Sequence, residues 1–242
     1  MSDSSPPPKQ FCATRWSLVL DARGDGEEAQ RALEDLCQAY WFPLFAWCRR
    51  YGLTVADAED AVQGFFVKVM EKRLFDAADA SRGKLRTFLL TALQRHVRDE
   101  RAKALAERRG GGNVVSFDAT EAESWYSDAS IEGESAERMF DRQWALTVLD
   151  NAILQLERQA VARGKVSEFK VMRPFLTEEG QAEDYRKAGE LTHQSAGAFK
   201  VAVHRLRAKF RIALREQVAE TQPEDANVDE EITYLMQVLT GS

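Results

Sequence analysis

Between residues 54 and 71 apolar side chains return at steps of three and four: Ala58, Ala61, Val62, Phe65, Phe66, Val69 and Met70. That period belongs to a helix with one broad buried face. Thr54 with Asp57 three positions on is a capping-box pattern, and Asp57, Glu59 and Asp60 fall where carboxylates favour the positive end of the helix dipole. The spacing predicts a helix starting at Val55, with Asp57, Glu59, Asp60, Gln63, Gly64 and Lys68 on its outer side. On physical grounds alone that side is a well-capped solvated face.

A second helix follows the turn signal Arg82-Gly83. Its buried stripe is Leu85, Phe88, Leu89, Ala92, Leu93, His96 and Val97, while Arg86, Arg95, Arg98, Arg101, Lys103, Arg108 and Arg109 are expected to project elsewhere. A cationic surface of that length suits phosphate, because each neutralised phosphate releases counterions. The plainer alternative is a solubilising face with local ion pairs such as Arg95 with Asp99.

On either side the chain continues as helices. Residues 1–11 are rich in Ser and Pro and are expected to be disordered. A short helix from Thr14 and a longer one carrying Ala29, Leu33, Leu36, Cys37, Tyr40 and Trp41 follow, with Pro43 expected to break or bend the latter before Leu44, Phe45, Trp47 and Cys48. These elements and the two helices above make a first domain over 12–108. Gly110-Gly111-Gly112 ends it, since three glycines cost too much backbone entropy to stay helical, and no strand or Gly-Lys-Ser/Thr makes them a phosphate loop. Residues 109–135 read as an acidic linker.

A second domain is expected over 136–218. Met139 to Leu156 form a long amphipathic helix ending near Gly164, and Phe169 to Leu176 form another, interrupted by Pro174. Then comes a helix-turn-helix pattern: a short helix from Tyr185 to Leu191, a turn at Thr192-His193-Gln194, and a helix capped by Ser195. Along that last helix Lys200, His204, Arg205, Arg207, Lys209 and Arg211 are free to face DNA. Residues 219–242 carry six carboxylates (Glu220, Glu224, Asp225, Asp229, Glu230, Glu231) and no cation, then Ile232, Leu235, Met236 and Leu239 at helical spacing.

Across its 242 residues the chain has a formal net charge of −6, which at first argues against nucleic acid. The distribution matters more: cations gather in 82–109 and 186–215, carboxylates in 118–141 and 216–231. Cys12, Cys37 and Cys48 show no C-x-x-C spacing, and His96, His193 and His204 have no ligand-like neighbours, so no metal or other cofactor is expected. Cys37 and Cys48, about three helical turns apart, read as core residues rather than as a redox pair. No apolar run approaches the roughly 20 residues that span a bilayer, and the N-terminus lacks a signal-peptide core, which places the chain in the cytoplasm with no membrane partner.

The segments DAEDAVQGFFVKVMEK and RGKLRTFLLTALQRHVRDERAK together resemble the second domain of bacterial sigma factors of the extracytoplasmic-function type, and AFKVAVHRLRAKFR resembles the recognition helix of their fourth domain. The resemblance implies an all-α protein of two small helical domains joined by a flexible linker, whose partners are core RNA polymerase and promoter DNA. It implies that Asp57, Glu59, Asp60 and Gln63 meet the clamp helices of the polymerase largest subunit. Contacts to the minus-ten element would fall on Lys84, Arg86, Gln94, Arg95, Arg98 and Arg101. Contacts to the minus-thirty-five element would fall on Gln194, Ser195, Ala198, Lys200, Val201, His204 and Arg205, from a helix in the major groove. Gly64 stands where the family usually has an acidic residue, Arg95 where it usually has asparagine, and Ala188 and Gly189 where it has a larger aliphatic and an alanine.

No enzyme role is implied, since no acid, base and nucleophile cluster. Regulation stays open between an anti-sigma factor, a kinase and the chain itself. Thr54 is a conceivable phosphosite, with capping as its ordinary role. The C-terminal extension either folds back on a basic surface or on the linker and damps promoter binding, or serves as a structural lid on the second domain's core. An autonomous helix-turn-helix regulator and a non-catalytic helical adaptor are the competing readings.

Overall fold

The computed structural model describes residues 26–71, 83–107, 124, 126–127, 131–223 and 225–241. The expectations for 1–11, for the helix from Thr14, for the glycine run and for most of the 109–135 linker lie outside these residues. Among the described residues the chain is all-helical, with eight α-helices and no strand. They are α1 (Glu27–Arg50), α2 (Val55–Glu71), α3 (Leu85–Glu107), α4 (Ala136–Ala162), α5 (Val166–Met172), α6 (Ala182–Leu191), α7 (Ala196–Ala219) and α8 (Val228–Thr240), with a 3-10 turn at Arg173–Leu176.

Two compact units divide these elements. The first runs to Thr147 and takes up the chain again from Ala219; the second is Val148–Val218. The opening turns of α4 and the whole of α8 therefore belong with α1, α2 and α3, whereas sequence placed a boundary at residue 136 and treated 219–242 as a separate extension. The reason is burial. Met139, Phe140 and Trp144 are wholly enclosed, and the Trp144 indole N–H donates to the Tyr40 hydroxyl at 3.1 Å. Arg142 lies in the same stretch and forms a buried two-point pair with Glu134, at 2.9 and 2.7 Å.

Pro43 lies inside α1 without ending it. Its ring removes one backbone donor, but Leu44, Phe45, Ala46, Trp47 and Cys48 beyond it are all at most 1 % exposed, and that burial outweighs the missing bond. Cys48 is buried and Cys37 half-buried, and burial pushes both thiols up to about 12, so neither is a ready thiolate. Gly52 and Gly164 lie in the turns that follow α1 and α4, and both they and Gly83, at the expected start of α3, have positive φ.

In the second unit Tyr185, Ala188, Phe199 and Val203 form a small core, joined by Phe175 from the 3-10 turn. Pro174 sits in the first turn of that 3-10 segment, which is how the interruption after Met172 is accommodated. No helix of the described residues is long and apolar enough to cross a membrane.

Candidate functional site

Three surfaces carry the residues singled out from the sequence. On the outer side of α2, Asp57 is exposed and Asp60 and Gln63 are half-buried. Glu59 is not on this side: it is 4 % exposed. It falls on the stripe Val55, Glu59, Val62, Phe66 and Val69, so its position, against its chemical type, turns it inward. The Thr54 hydroxyl donates to Asp57 Oδ2 at 2.7 Å and accepts from the Asp57 N–H at 3.2 Å, which is the capping role.

Gly64 faces α3 rather than solvent. A Cβ there would lie 3.3 Å from His96 Nε2, so the glycine makes room for the imidazole. Lys68, also expected outside, lies 2.7 Å from both His96 Nδ1 and Glu100 Oε1. Burial, and then the Lys68 cation, hold His96 below its usual range, and the hydrogen bonds from Lys68 and Lys103 bring Glu100 down to about 2. Neutral His96 thus accepts from Lys68 in a cluster that ties α2 to α3. Gly64 is thus part of the packing between α2 and α3.

Along α3 the predicted nucleic-acid residues separate into two groups. Arg95, Arg98 and Arg101 are exposed and Gln94 is half-buried. Arg98 Nε reaches back to the Gln94 carbonyl at 3.2 Å, and the Arg101 guanidinium lies 4.8 Å from the centre of the Tyr51 ring, which stacks on Trp47 at 4.6 Å. Arg86, expected to project outward, is buried instead, with a side chain 6 % exposed. Its Nε donates to Asp141 at 2.9 Å and its Nη1 donates to Glu231 Oε1. The guanidinium lies 4.8 Å from the Trp144 ring centre and 5.3 Å from that of Tyr234. Burial opposes its charge, but Asp141 and Glu231 more than offset this and raise its pKa. Lys84, 41 % exposed, reaches the second oxygen of the same Glu231.

Asp141 and Tyr234 were not singled out from sequence, whereas Trp144 was expected on the apolar face of its helix and Glu231 among the six carboxylates of the C-terminal segment. One signal was present for α8: a carboxylate at Glu231 in register with Leu235 and Val238. Those three are the buried residues of α8, while Met236, expected inside, is 45 % exposed. The buried stripe is turned so that Glu231 is directed at the two cations.

In the second unit the helix-turn-helix is built as expected, with a helix start three residues earlier at Ala182. Its turn is a Schellman closure: the Gln194 N–H donates to the Gly189 carbonyl at 2.8 Å and the His193 N–H to that of Glu190 at 3.2 Å, with His193 at φ 55. Gly189 has a reason of its own, because a Cβ there would come within 2.8 Å of the Gln194 carbonyl oxygen. Ser195 caps α7, its hydroxyl accepting from the Ala198 N–H at 3.2 Å.

Of the predicted reading residues, Gln194, Ala198, Val201 and Arg205 line one groove of about 580 Å³, whose other lining includes Arg163, Lys165, Glu168 and Lys209. Gln194 donates to Glu168 there at 2.9 Å. Lys200 and His204 are exposed but do not line it, and Lys200 lies 5.7 Å from the Tyr185 ring centre. Arg207, expected to face DNA, is committed within the unit, donating to the carbonyls of Phe175 and Glu178 at 2.8 Å each.

Comparison with protein-family models, with curated proteins and with solved structures finds no significant match.

Proposed function

We propose that this chain is a sigma-type initiation factor, which binds core RNA polymerase through the outer side of α2 and places it on promoter DNA through α3 and α7. The observation that carries the reading is α7: one face packs on α6 and the 3-10 turn, while its capped N-terminal end leaves Ala198, Lys200, Val201, His204 and Arg205 exposed. A helix presented by its N-terminal residues is the form that reads base edges in a major groove. Arg95, Arg98 and Arg101 add an exposed cationic row on α3 suited to phosphate. The chain performs no chemistry in this role; it works in the cytoplasm, where polymerase and promoter are.

The test is binding to core polymerase. Asp57→Lys with Asp60→Lys is the informative variant, because Glu59 is buried and a lysine there would damage the fold instead of the surface. The double variant is expected to lose about tenfold or more in affinity, with a salt-dependent on-rate, while the lost Thr54–Asp57 cap lowers the stability of α2 by only about 1 kcal/mol. Native chain that binds DNA duplex but not polymerase would instead make it an autonomous regulator.

A further inference from the structure

We propose that the C-terminal segment 219–241 is an internal competitor for nucleic-acid phosphate, holding Lys84 and Arg86 at the start of α3 until it is displaced. The inference deepens the function proposed above and rests on it. The two oxygens of the Glu231 carboxylate divide between the two cations, Oε2 to Lys84 and Oε1 to Arg86. This is the pattern a phosphate makes with a Lys and an Arg, and Glu231 makes it with a side chain only 2 % exposed.

The segment closes around the same spot at two further points. The Tyr234 ring lies 5.8 Å from the Lys84 ammonium, and its hydroxyl donates to Asp141 Oδ2. Burial, and then that bond, raise the phenol to about 12, so the donor persists through the neutral range. Upstream, the Thr221 carbonyl accepts the Leu85 N–H at 3.2 Å, taking a donor from the first turn of α3. The two cations and this N–H are therefore engaged by residues after 218, whereas Arg95, Arg98 and Arg101 further along α3 stay exposed.

The attachment is of a kind that can be reversed. Only Leu235 and Val238 of α8 are buried apolar residues, while Tyr234 and Met236 keep 38 % and 45 % of their surface. The segment carries six carboxylates and no cation after Arg215, so it is matched to a basic surface and repelled by DNA. Lys84 keeps 41 % of its side chain in solvent, and is the cation an incoming phosphate reaches first. DNA and tail thus exclude each other from one pair of cations.

The test uses the full chain in native, Leu235→Asp and Glu231→Gln forms. Leu235→Asp releases α8 by burying a charge and makes the chain more negative, so tighter DNA binding cannot come from an added cation. Affinity for a forked duplex with a single-stranded arm is measured over a salt series, alongside affinity for core polymerase and hydrogen exchange. The expected result is faster exchange over 228–240, DNA binding about tenfold tighter and a salt dependence steeper by about one to two phosphates, with polymerase affinity unchanged.

Released α8 with unchanged DNA affinity, in chains that still bind polymerase, would overturn the competitor and leave the sigma reading standing. Native chain without polymerase affinity would overturn both. If Leu235→Asp also opens α3, the isosteric Glu231→Gln decides, because it removes the charge and keeps the shape; no gain in DNA affinity there sinks the proposal.

Discussion

Arg86→Met is expected to destabilise the first unit by about 3 kcal/mol or more, the cost of leaving a buried charge without its partner. Arg86 pairs with both Asp141 and Glu231, and the Glu231 side chain is 2 % exposed. Methionine takes up the space beside the Trp144 and Tyr234 rings but leaves Asp141 and Glu231 without the guanidinium. Lys84 still reaches Glu231, so the loss falls short of a wholly unpaired acid. Replacing both partners, Arg86→Met with Glu231→Met, is expected to recover more than half of the loss, since an apolar pair of similar size avoids the desolvation of two ions. Lys84→Met is the contrast: its side chain is 41 % exposed, and its loss should stay below about 1 kcal/mol. Urea unfolding of the four proteins checks the set, and a loss for Arg86→Met no larger than that for Lys84→Met would contradict the burial argument.

Gly189→Ala is expected to weaken the second unit by about 1–2 kcal/mol, although alanine is the better helix former by about 1 kcal/mol. Two effects oppose each other here, and the contact decides. The added Cβ would stand 2.8 Å from the Gln194 carbonyl oxygen and 3.3 Å from the Ser195 carbonyl carbon, both backbone atoms. To give way, the turn must move, and it is held by Gln194 N–H to the Gly189 carbonyl and His193 N–H to that of Glu190. Moving it re-aims α7, so affinity for duplex DNA is expected to fall together with the local stability. Gly197→Ala is the control, with nothing within 4 Å of its Cβ, and should be neutral or mildly stabilising. Hydrogen exchange over 182–219 reads both; equal protection in the two variants would show that the turn is not the constraint.

Much of the fold was legible because helix period and capping are local. The starts of α2 and α7, the glycine turns and the break at Pro174 all follow from residues within a few positions of one another. What misled was assigning a side chain's direction by its type. Glu59 and Arg86 are charged and were placed outside, yet each occupies a position in phase with buried neighbours: Glu59 with Val62 and Phe66, Arg86 with Leu93 and Val97. A buried charge is tolerable where partners from elsewhere in the chain meet it. For Arg86 those partners are Asp141 and Glu231, 55 and 145 positions away. The same distance in sequence hid the membership of α8 in the first unit. Gly189, an apparent departure from a helix-turn-helix pattern, is explained by a close backbone approach that no propensity reveals.

A sigma-type factor, as proposed above, makes core polymerase initiate at chosen sites. The direct measurement adds native chain, and the Asp57→Lys with Asp60→Lys variant, to core polymerase on a randomised library of promoter-length DNA, and sequences the 5′ ends of the RNA. The account predicts discrete start sites with the native chain, each preceded by two enriched sequence elements, and loss of those starts with the variant. RNA ends indistinguishable from those of core polymerase alone, from a chain that is folded and released from its own tail by Leu235→Asp, would contradict it.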